Sequence, residues 1–184
     1  MSHRYSTALS HLILAGTGIY YLHVYTESFG LPCVTYGIIV THSLLGVWRW
    51  GNPDYGDKVE GIYNFTFFLQ MITCLPFITS QFFANVGFPR EVAALFAGSA
   101  LLPLSLYLAD KPKEDVIDSI IACSGISMGI ASFLYERFYG IAASLSYLFN
   151  HFVLREGQID MDIPMLDLYN YGLCFYCCFA FKCL

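Results

Sequence analysis

His42 stands between Thr41 and Ser43, near the middle of an apolar run over 32–48. Imidazole is the side chain that exchanges protons near neutral pH. An ionisable group inside a lipid-soluble helix is costly enough to mark a functional position. The plainer reading is a ring hydrogen-bonded to a neighbouring helix, with Gln70 as the partner. His11, His23 and His151 lie nearer the ends of apolar runs, where a side chain reaches the interface cheaply. Asp118 and Glu136 sit at opposite ends of the run 116–134, so a straight helix keeps them from sharing one centre. The intramembrane polar candidates are therefore His42, Gln70, Asp118 and His151.

Gly125-Ile126-Ser127-Met128-Gly129 carries the letters of a serine-hydrolase elbow. That chemistry needs a strand-to-helix turn presenting a strained serine. These five residues lie inside an apolar helix, where Gly125 and Gly129 read as a packing motif. Cys174, Cys177 and Cys178 contain one C-x-x-C, without a second pair at zinc spacing. They read as lipid-facing thiols, or as acylation sites if the tail lies on the cytosolic surface. No catalytic residue, metal site or cofactor is expected from these motifs.

The elements that must position these groups are membrane helices. The chain has 184 residues, 57% hydrophobic and only 12% charged, against about 25% charged in a soluble domain. Its apolar runs are continuous rather than alternating, so helices are expected and a β-barrel is not. The net charge is −5 and there is no basic patch, which excludes nucleic acid as a partner. The seven cysteines fall mostly inside apolar runs and do not form a disulfide framework. No cleavable leader is expected, because the first apolar run lacks a small-residue cleavage site.

The expected fold is an all-α integral membrane bundle of six to seven helices, seven favoured, with short loops and no soluble domain. It forms one domain over 1–184, with helices near 8–26, 32–48, 61–83, 90–109, 116–134, 139–154 and 165–183. Trp48, Arg49 and Trp50 read as interface anchors before the polar loop that follows. Pro32 suits a first turn, Pro76 a kink, Gly87 a turn, and Glu27 and Ser28 the first hairpin. The 39 residues of 116–154 would make a helix about 58 Å long, so they divide near 135–140.

Three faces repeat with helical period: Thr66, Gln70, Thr73 and Ser80; Asp118, Ala122, Gly125, Gly129 and Ser132; and Gly140, Ser144, Tyr147 and His151. They are helix–helix contacts or the walls of a polar pathway. Arg4, Arg49, Lys58, Lys111, Lys113 and Arg155 fall on one side, and Arg90, Arg137 and Lys182 on the other. This bias favours a cytosolic N-terminus, in the endomembrane system or the plasma membrane, and leaves the Asn64 sequon unused. The expected function is that of a non-catalytic accessory or scaffold protein, whose partners are the lipid bilayer and other membrane proteins. The alternative is a small transporter or channel using the polar faces of 32–48, 61–83, 116–134 and 139–154. A membrane-embedded lipid enzyme comes third.

Overall fold

The computed structural model describes residues 2–25, 29–155 and 163–184. The expected turn at Glu27 and Ser28, the helix end at Thr26 and most of the acidic segment before Pro164 lie outside the described residues. Among the described residues the chain is helical, without strands. Helix α1 spans Ser2–Val24, α2 Leu31–Gly51 and α3 Glu60–Asn85, the last entered through a 3-10 turn at Gly56–Val59. Then follow α4 (Arg90–Ser99), α5 (Leu101–Leu108), α6 (Glu114–Leu134), α7 (Phe138–Phe149) and α8 (Met165–Cys183). A π turn over Asn150–Leu154 extends α7.

By length and composition, four helical segments are long and apolar enough to cross a membrane: Leu31–Gly51, Gly56–Asn85, Arg90–Leu108 and Glu114–Leu134. Phe138–Leu154 is apolar but shorter. Such helices are compatible with a membrane protein. α1 and α8 have the length, but their buried faces carry Ser10, His11, Asp167 and Asn170, which lowers their hydropathy.

α3 is the central element, and 72% of its apolar window is buried. The polar stripe expected there is therefore not a distinct face: Gln70, Cys74, Leu75 and Ile78 are all fully buried. Pro76 lies within it and has no N–H for the turn behind it. Two tyrosines tie this stretch to other helices. The Tyr147 hydroxyl donates to the Met71 carbonyl (3.2 Å) and the Tyr176 hydroxyl to the Cys74 carbonyl (2.8 Å). Tyr36 does the same between α2 and α8, donating to the Cys177 carbonyl at 3.2 Å.

The helix expected over 90–109 is broken at Ala100 into α4 and α5. Pro103 has no N–H to offer the Ser99 carbonyl and its ring crowds it. α4 and α5 are also the least covered of these four segments, with 17% of their window buried. An apolar groove of about 390 Å³ separates α4 from α6, lined by Val92, Leu95, Phe96, Ile120, Cys123 and Ser124.

Three helices stop in the same way. The amide of Phe88 bonds the Phe83 carbonyl (3.0 Å), Lys111 that of Leu106 (2.9 Å), and Arg137 that of Ser132 (2.8 Å). Each six-residue closure needs a left-handed residue just before the donor. Those residues are Gly87 (φ 88°), Asp110 (φ 51°) and Glu136 (φ 56°). The last closure turns the chain from α6 into α7 and divides the long apolar run.

Polar side chains are buried beside an apolar core, and many large apolar side chains are exposed. Leu95, Leu101, Leu108, Ile130, Phe133 and Leu134 are exposed, while His11, His42, Gln70, His151, Asp167 and Asn170 are at most 1% exposed. Such exposed apolar side chains are compatible with a membrane protein.

Candidate functional site

Two polar clusters, one buried and one part-buried, form near the bundle end that carries the start of α1, the 52–59 loop and the starts of α6 and α8. The first is built by α1, α2 and α3. α1 and α2 run antiparallel and pass closely at Gly46, where a Cβ would fall 2.5 Å from the His11 ring. His42 lies one helical turn before Gly46 along α2, so the imidazoles of His11 and His42 come to a centroid separation of 5.5 Å, edge to face. The Tyr63 hydroxyl lies 3.1 Å from His11 Nε2, and its ring sits 4.6 Å from that of His42.

Thr66 holds His42 in place: its hydroxyl donates to the Tyr63 carbonyl (3.0 Å), and its oxygen lies 3.1 Å from His42 Nδ1. Nε2 of His42 and Nδ1 of His11 are then buried without a hydrogen-bond partner. Gln70, expected as the partner of His42, is fully buried one turn further along α3 and faces the phenol of Tyr169. Thr66 takes the place expected for it.

Arg49 closes this cluster from the end of the bundle. It pairs with Glu60, donates to Asn64 Oδ1 at 3.2 Å, and lies over the rings of Tyr63 (4.7 Å) and Trp50 (5.2 Å). α2 continues through Trp48, Arg49 and Trp50 to Gly51, so the three residues occupy its last turn rather than the loop after it. Trp48 is exposed, and Arg49 is turned inward onto α3.

The second cluster is built by α6 and α7, whose small-residue faces meet rung by rung. A Cβ at Gly140 would strike Ser132 Oγ, one at Gly129 would rest 3.9 Å from Ser144 Cβ, and one at Gly125 would fall 2.8 Å from Leu148. The next rung holds Asp118. Its Oδ1 lies 2.8 Å from His151 Nε2 and 3.1 Å from Arg155 Nη2. His151 and Arg155, four residues apart, share one face and reach the same carboxylate; the turn between them is a π turn, in which the Arg155 amide bonds the Asn150 carbonyl five residues back (3.0 Å). Arg155 Nη1 also reaches Met71 Sδ at 3.1 Å.

The four polar candidates therefore do not gather at one centre. His42 belongs to the first cluster, Asp118 and His151 to the second, and Gln70 lies on α3 between them. Of the packing candidates, Gly125 is at close approach and Gly129 has room for a methyl group. Cys177 is fully buried, whereas Cys174 and Cys178 are half-buried. Sequence reasoning missed His11, Tyr63 and Thr66 as neighbours of His42, and it missed the burial of Asp167. The His11–Gly46 register between two antiparallel helices would have found the first of these. Among the described residues, no three His, Cys, Asp or Glu side chains converge as a metal site. No protein-family model, no curated protein and no solved structure matches this chain.

Proposed function

We propose that the chain is a multi-pass integral membrane protein of six or seven spans, acting without catalysis as an accessory or scaffold subunit. The observation that carries this reading is the pairing of exposed large apolar side chains with polar groups buried between helices. Buried hydroxyls, imidazoles and the Asp118 carboxylate tie one helix to another, as Tyr36, Tyr147, Tyr176, Thr66 and Asp118 do. Cross-helix polar ties of this kind hold membrane bundles together. The apolar exterior is left for lipid and for other membrane proteins, most of all on α4 and α5. The excess of Lys and Arg around Arg4, Lys58 and Lys111 supports a cytosolic N-terminus.

The test is the native state of the protein in mild detergent. The account expects a discrete assembly larger than the monomer in its micelle, containing a second membrane protein in fixed ratio. A monomer that by itself moves a solute across liposomes contradicts it and favours the transporter reading. One observation supports that second reading: the unpartnered buried nitrogens of His11 and His42, beside the buried amide of Gln70. A membrane-embedded polar group without a partner is a candidate for a pathway.

A further inference from the structure

Asp167 is a buried carboxylate with no ion pair among the described residues. It is 1% exposed, and the ion pairs of the fold involve Asp57, Glu60, Glu114 and Asp118 instead. A charge so placed is costly unless something compensates it. It is the third residue of α8, where the helix N-terminus favours a negative group. That supplies only a partial positive charge to a buried carboxyl group.

The groups bonded to it are oxygens, and the His11 imidazole lies within electrostatic reach. The Ser6 hydroxyl donates to Oδ2. The Ser10 hydroxyl has one hydrogen and two acceptors within reach: the Thr7 carbonyl at 2.9 Å and Asp167 Oδ1 at 3.3 Å. Asn170, one turn along α8 and fully buried, donates from Nδ2 to Ser10 Oγ at 3.0 Å. Its Oδ1 is buried without a partner. Turning the amide over exchanges oxygen for nitrogen at no covalent cost and brings a further oxygen to the same group.

We propose that Asp167, Ser6, Ser10, Asn170 and the Thr7 carbonyl form a binding site for a small monovalent cation, Na+. Carboxylate, hydroxyl, amide and carbonyl oxygens are the ligands hard cations take. One carboxylate balances one monovalent charge, whereas a divalent ion would leave a net positive charge in the bundle. Ser6 is exposed at the end of α1 and gives the ion its entry. The site goes beyond either functional reading: a scaffold would use the ion to lock α1 to α8, and a transporter would use it for coupling.

The experiment is thermal unfolding of the purified full chain in detergent, titrated with NaCl, KCl or choline chloride at constant ionic strength. Na+ at about a hundredfold over its dissociation constant raises Tm by roughly 5–10 °C, and the rise saturates. Choline does nothing and K+ gives a smaller shift. Asp167→Asn abolishes the response, Ser10→Ala and Asn170→Ala weaken the apparent affinity at least about tenfold, which is ~1.4 kcal/mol, and Ser105→Ala leaves it intact. If Asp167→Asn does not fold, wild type against Ser10→Ala decides. No response to Na+, an equal response to K+, or a full response in the folded Asp167→Asn or Ser10→Ala variant overturns the site.

Discussion

The His11 imidazole lies flat on Gly46, so close that a Cβ at residue 46 would fall 2.5 Å from Cγ and Nδ1 of the ring. Gly46→Ala must push the ring off its place beside Tyr63 and His42. Overpacking of this kind costs about 1–3 kcal/mol. Gly16, also in α1, has nothing within 4 Å of an added Cβ, and Gly16→Ala gains up to about 1 kcal/mol of helix propensity. Chemical or thermal unfolding in detergent should order the two variants on opposite sides of wild type. Equal effects would remove His11 from its position against α2.

Gly125 and Gly129 separate in the same way. An added methyl at 125 meets Leu148 at 2.8 Å, whereas one at 129 finds Ser144 at an ordinary 3.9 Å. Gly125→Ala should cost about 1–2 kcal/mol and Gly129→Ala close to nothing. Leu148→Ala should relieve the first, giving a favourable coupling in a double-mutant cycle. Additive effects would mean that α6 and α7 are not in this register.

Asp118 and His151 should couple as well. A cycle of Asp118→Ala and His151→Ala is expected to show an interaction of about 1 kcal/mol, held down because Asp118 is about a third exposed. Asp118→Ala combined with Glu136→Ala, which lies just past the far end of α6, should be additive. Zero coupling in the first pair would dissolve the contact between α6 and the end of α7.

Glu136 is held at φ 56° to close α6, a conformation that costs a side-chain-bearing residue about 1 kcal/mol. Glu136→Gly should therefore raise the unfolding midpoint, and Glu136→Val should lower it. Loss of stability with glycine would mean that the α6–α7 turn does not run through this closure.

Much of the helix pattern was legible in the sequence, because hydropathy and period are local. The stripes Asp118–Gly125–Gly129–Ser132 and Gly140–Ser144–His151 face each other across α6 and α7. What could not be read depends on partners far along the chain. Asp167 and His11 stand near the ends of apolar runs, where hydropathy assigns them to the interface. Ser6 and Ser10 bury the first, and Gly46 and Tyr63 bury the second. The break at Ala100 follows from Pro103, which reads equally well as a kink or a stop. The π turn at Asn150–Leu154 leaves no mark on hydropathy, because His151 and Arg155 keep an ordinary spacing of four.

The central claim is that the apolar exterior faces lipid. Flotation of cell membranes after an alkaline carbonate wash tests it most directly, because the wash strips peripheral proteins and the float leaves aggregates behind. The account predicts that the chain rises with the lipid, together with a known multi-pass protein. Recovery of the chain in the carbonate supernatant, with that marker still in the float, would contradict it.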